Sequence, residues 1–257
     1  MTPSKIKLAL ATAGFFVCGF MIFMYIGVIS VPKPEWIALA IVAVLLNVLR
    51  NWVILIGDGV SCRFVLVGQV VVPTALLSSI TCFGVGEALR IFLWKKLTGL
   101  NSSKLVAIVF KEKRYSVYGL GVLVLAIWSS YYIGWLGTVV LAMLCCFLVF
   151  RTRQRDGLAF LLSIVNAAAF AFLIFEIFQE DLPLFLSAVL ALLFSVGLPF
   201  NGAGLVDLVL FLLERYQTGL QLPSGSWSQV NGIWVTLLAA RLLVSAVLMS
   251  FFREVDG

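Results

Sequence analysis

Apolar residues run along this chain in blocks of about 20, long enough as helix to cross the roughly 30 Å hydrocarbon core of a bilayer, with short polar stretches between them. The first block, residues 6–29, follows Lys5 and Lys7. It is longer than the apolar part of a signal peptide and no small-residue cleavage site follows it, so an uncleaved span is expected. Pro32 and Pro34 suit a return turn, and residues 36–55 form a second block ending at Gly57-Asp58-Gly59. Asn101-Ser102-Ser103 can cap a helix starting near Lys104. That helix carries Lys111-Glu112-Lys113-Arg114 and continues as a third block to about Tyr132. After the turn Gly134-Trp135-Leu136-Gly137, residues 138–150 make a short fourth block, 157–177 a fifth and 233–252 the last, which a polar loop, 217–229, precedes.

Two stretches break the pattern. Residues 64–80 are apolar but interrupted by Pro73, run into Gly84-Val85-Gly86-Glu87, and lead to a short helical run ending in Lys95 and Lys96. Residues 183–200 and 202–216 flank Pro199 in the same way. Short, broken arms predict re-entrant hairpins, which are tolerated at membrane depth only against protein or a wet cavity. The two hairpins also match each other. Phe83-Gly84-Val85-Gly86-Glu87, Thr98-Gly99 and Arg114 correspond to Phe200-Asn201-Gly202-Ala203-Gly204, Asp207, Thr218-Gly219 and Arg241, offset by 117 to 127 residues. The chain therefore reads as an all-α polytopic membrane protein with one transmembrane domain, residues 1–257. About six full spans and two re-entrant hairpins are expected, in repeat units covering 36–133 and 157–252.

Composition agrees. The chain is 62% apolar and 12% charged with a mean hydropathy of +1.12, against about 45–50% and 25% in a soluble domain. Of its 18 basic residues, thirteen fall on the side of the N-terminus, only Lys33 and Arg215 fall opposite, and Arg50, Arg90 and Arg241 lie in helices. Positive charge marks the cytoplasmic side, so both termini are expected inside and the second repeat unit is inverted relative to the first. Inverted repeats are common in secondary transporters, whose sites lie near the midplane where broken helices meet. Gly84, Gly86, Gly202 and Gly204 suit hairpin tips, where positive φ and close approach favour glycine. The helix starts beside them offer N–H groups to an anion.

Much chemistry is excluded. There is no histidine, and Cys18, Cys62, Cys82, Cys145 and Cys146 contain no C-x-x-C pair, so a zinc site, a disulfide framework or a histidine-assisted nucleophile is not expected. No phosphate-binding G-x-x-x-x-G-K-[ST] loop occurs. No catalytic residue, metal, cofactor or nucleic-acid partner is expected, and the chain does not read as an enzyme.

The informative residues are charges inside apolar helices, each costing about 2.5–3.5 kcal/mol to insert on translocon scales. They are Arg50, with Asn47 and Asn51 on its face, Glu87, Arg90, Asp207, Glu214 and Arg241. Glu87 and Arg90, three apart, can pair with each other. Asp207 and Glu214 share a face two turns apart. Arg50 and Arg241 call for an anion, and phosphate suits a guanidinium. The 111–114 run reads as a contact for anionic headgroups at the inner surface.

The Gly-Glu-x-x-Arg hairpin, Gly86-Glu87-Ala88-Leu89-Arg90, followed by Lys111–Arg114, resembles the flippase-like membrane region of lysylphosphatidylglycerol synthases. So does the later Pro199-Phe200-Asn201-Gly202-Ala203-Gly204-Leu205-Val206-Asp207 with Arg241. The resemblance covers about residues 40–250. Cys82 and Gly84 stand where that family favours a proline and a basic residue, and Asp207 where glutamate is usual. It implies a standalone membrane part, without the aminoacyl-transferase domain, in a prokaryotic cytoplasmic membrane. Its implied task is to bind an anionic or modified lipid and move it between leaflets. Arg50, Arg90, Arg114 and Arg241 are then the expected headgroup ligands, and Glu87, Asp207 and Glu214 the coupling or gating groups. The partner is a phospholipid or polyprenyl-phosphate type of lipid, with a second copy or a membrane enzyme as further partners. Two other readings stay open: an ion-coupled small-solute transporter, and a non-catalytic membrane subunit of a lipid-linked glycosylation or lipid-modification system.

Overall fold

The computed structural model describes residues 32–80, 84–132, 134, 139, 154–178, 187–191 and 226–250. These are helices joined by short turns, with no strand among the described residues. The longer helices are α1 (Pro34–Gly57), α2 (Phe64–Ile80), α3 (Val85–Thr98), α4 (Ser102–Tyr132), α5 (Gln154–Ile177) and α6 (Ser226–Ser250). The first apolar block, and the fourth apart from residue 139, lie outside the described residues. So does the second hairpin apart from 187–191, and with it Gly202, Gly204, Asp207 and Glu214.

Several boundaries differ from the sequence reading for local reasons. Pro34 is not in the return turn but opens α1, because its fixed φ suits the first helical position and its missing N–H would be unbonded there anyway. Pro73 does not break α2, which runs through it. The adjacent Thr74 hydroxyl donates back to the Val70 and Val71 carbonyls at 2.7 and 3.1 Å, within the turn that precedes it. α6 starts at Ser226 rather than near 233 and runs as helix through Asn231-Gly232, a pair that read locally marks a turn. α2 and α3 pack on each other as a hairpin, and residues 81–83 between them lie outside the described residues. Gly84 has φ +91° at the start of α3, and Gly99 has φ +69° at its end.

By length and composition two helices can cross a membrane, Pro34–Gly57 and Asp156–Ile177. Twenty-four residues make α1 and α5 about 36 Å long each. α1 packs most extensively on α5 and also meets α2, α4 and α6, while α3 bridges α2 and α4. Small residues are buried on both helices, Ala40 and Ala43 on α1 and Ala159, Ala167 and Ala171 on α5, and small residues let packed backbones approach closely. Gly119 does the same for α4 on α5, since a Cβ there would stand 2.8 Å from the Ser163 carbonyl carbon. Outward-facing positions are strongly apolar, with Phe92, Phe110, Tyr118, Leu125, Leu161 and Phe172 exposed.

Candidate functional site

A cavity of about 160 Å³ lies between the helices. On α1 it is lined by Ala43, Val44, Asn47 and Arg50, and on α5 by Ser163, Asn166, Ala167 and Phe170. These are the central turns of the two helices able to cross a membrane, so the cavity sits at mid-length of both. Its volume is that of roughly five water molecules.

The charged lining starts with Arg50, only 3% exposed. Its Nη2 donates to Asn47 Oδ1 at 2.7 Å and to Glu112 Oε1 at 2.9 Å, and Nη1 donates to Ser116 Oγ at 2.7 Å. Asn51 donates to the Asn47 carbonyl and side chain, fixing that residue as an acceptor. Arg90 on α3, equally buried, donates through Nε to Thr74 Oγ1 at 3.1 Å and through Nη1 to Glu112 Oε2. One carboxylate, 4% exposed, thus serves two guanidiniums from two other helices. Arg241 on α6 lines the same cavity and donates to the Ala75 carbonyl at 3.3 Å.

The pairing between Glu87 and Arg90 inferred from their spacing does not form. Glu87 turns to α4 and α2, taking Lys113 Nζ at 2.7 Å and the Ser78 hydroxyl at 3.0 Å, while Arg90 goes to Glu112. Gly86 makes room for this, because a Cβ on it would collide with Ser78 Oγ and the Thr74 carbonyl. The role of Gly86 is therefore close packing between the arms of the hairpin, and only Gly84 serves the turn. The 111–114 run is likewise not a single surface patch. Lys111 reaches Asp58 Oδ1 at 3.1 Å and Asp156 Oδ1 at 2.6 Å, and Glu112 and Lys113 face the cavity. Arg114 alone stays exposed, over the Tyr115 ring at 5.9 Å, and does not line the cavity.

Arg50, Arg90, Arg241 and Glu87, expected from the sequence, thus meet at one cavity. Glu112, Lys113, Ser116 and Asn166 join them without having been singled out as site residues. Glu112 left one signal. It continues the buried stripe Leu105, Ile108, Glu112, Tyr115 and Gly119 of α4, the 3–4 spacing of a helix face turned inward. Two buried atoms at this cavity have no hydrogen-bond partner, Arg50 Nε and Asn166 Oδ1. Unmade bonds of buried polar groups are costly and rare. The described lining carries four cations and two carboxylates. It presents guanidinium, ammonium, hydroxyl and amide groups, a donor-rich set suited to an oxyanion. Among the described residues no group of His, Cys, Asp and Glu could hold a metal ion. Compared with family models, with curated proteins and with solved structures, the chain matches none.

Proposed function

We propose that the chain binds the phosphate-bearing headgroup of a membrane lipid in this cavity and carries it between leaflets. The observation that supports this is the cluster Arg50, Arg90, Arg241 and Lys113 around a cavity at mid-length of α1 and α5. Cations at that depth are expensive unless they face a partner or a cavity, and they mark substrate paths. The apolar outer faces of the helices leave the lipid tail in the bilayer while the headgroup crosses. On this reading the chain has about six full spans and two hairpins in inverted repeats, both termini are cytoplasmic, and alternating closure of the hairpins drives exchange without chemistry on the lipid.

Native mass spectrometry of the protein in mild detergent, wild type beside Arg241→Ala, tests it. Wild type should retain a discrete anionic lipid that the variant loses, and the variant should fall at least tenfold in lipid flipping in proteoliposomes while remaining folded. If both carry only bulk lipid in membrane proportions, translocation gives way to a membrane-subunit role.

A further inference from the structure

Glu112 occupies the place a ligand would take. A carboxylate offers two oxygens, and each is spent on a different guanidinium, Arg50 on α1 and Arg90 on α3. Arg50 keeps one buried donor, Nε, without a partner beside the cavity, and Asn166 Oδ1 across on α5 is also unbonded. An oxyanion with three or four oxygens can serve both guanidiniums and reach Nε as well, which one carboxylate cannot.

From this arrangement we infer that Glu112 is a built-in competitor for the oxyanion: an entering phosphate takes over the guanidiniums of Arg50 and Arg90 from Glu112, and the return of Glu112 expels it. The inference rests on the anion-site reading above and adds how the site releases what it binds. A transport site must bind well enough to admit its ligand and weakly enough to release it. An internal carboxylate on the same donors supplies that balance without a second ligand. It also ties occupancy to packing, because the pairs of Glu112 with Arg50 and Arg90 join α4 to α1 and α3. Asn51 on α1 and Lys113 on its own helix also interact with Glu112, and the other polar groups lining the same cavity include Asn47 on α1, Ser116 on α4, Ser163 and Asn166 on α5, and Arg241 on α6. None of these is a second carboxylate. Glu87, the only other acid in the described lining, is held by Lys113 and Ser78.

The test follows the thermal midpoint of the purified full chain in detergent as inorganic phosphate, or separately a short-chain phosphatidic acid, is added. A ligand that binds only the folded state stabilises it by RT ln(1 + L/Kd), L being its free concentration, so the concentration at which the midpoint begins to rise reports its affinity. Glu112→Gln should unfold at a lower temperature without ligand and respond at a phosphate concentration at least tenfold below that of wild type. Asn47→Asp, which sets a second carboxylate 2.7 Å from Arg50 Nη2, should need at least tenfold more. An unchanged or weaker response in Glu112→Gln, with wild type responding, overturns the competition and leaves the anion site standing. Should Glu112→Gln not fold, an unchanged response in Asn47→Asp overturns it. Wild type responding to neither probe removes the anion site and the competition together. A response to inorganic phosphate but not to the lipid, with the tenfold shift in Glu112→Gln, supports competition and overturns the lipid reading.

Discussion

At the scale of single residues, Glu112 is where neighbouring letters mislead. Flanked by Lys111, Lys113 and Arg114, it reads as part of a surface run that meets anionic headgroups, yet it is one of the most buried acids in the described chain. Consecutive helical residues point about 100° apart, so Lys111, Glu112 and Lys113 fan out toward three different neighbours. Only a helix surrounded by others can answer all three, and α4 has α1, α3 and α5 around it. Cys62 shows a milder influence of surroundings. In the turn between α1 and α2, its thiol is half-buried and lies 3.7 Å from the Val60 carbonyl, and burial pushes its pKa above the ordinary thiol value. Since the thiolate is the reactive form, less of it is present near neutrality. In a variant whose other four cysteines are replaced, iodoacetamide should label Cys62 slowly at pH 7, and the rate should still be rising above pH 9. A rate that levels off by pH 8.5 would show an unburied thiol.

At the scale of elements, the hairpin of α2 and α3 depends on one missing side chain. A Cβ on Gly86 would collide with the backbone of α2, not merely with a mobile side-chain end. Gly86→Ala should therefore force the arms apart and loosen the bond from Ser78 to Glu87. It should cost about 1–3 kcal/mol, the usual range for overpacking, seen as a lower thermal midpoint. A midpoint within error of wild type would mean that the arms do not meet there. The hairpin's existence was legible in the sequence because glycines and a short second arm announce it. The passage of α2 through Pro73 was not, since a proline in an apolar run reads locally as a break and only the packing of α2 against α1, α3 and α6 shows where the helix continues.

For the whole molecule, the distribution of basic residues makes a prediction independent of the cavity. With both termini inside, single cysteines placed at 99–103 should be labelled by an impermeant maleimide only from the cytoplasmic side, and those at 224–228 only from the opposite side. Labelling of both from one side would remove the inverted repeat and the orientation drawn from it. The ion pairs of Lys111 with Asp58 and Asp156 join one end each of α1 and α5 to α4. That end is the one the charge count assigns to the cytoplasm.

The sequence alone determined the helical class, the blocks that become α1, α4, α5 and α6, and which charged residues needed an explanation. These follow from local physics, because length, hydropathy and the cost of burying a charge act on each segment separately. It could list Arg50, Arg90, Arg241 and Glu87 but not their partners, since the spacing of Glu87 and Arg90 favoured a pair that never forms. Only the tertiary structure decided that Glu112 joins two arginines from two other helices and that all of them face one cavity. Pairing across 22 and 62 residues of chain depends on how helices cross. Those crossings are set by where alanines and glycines let backbones approach, which no single segment encodes.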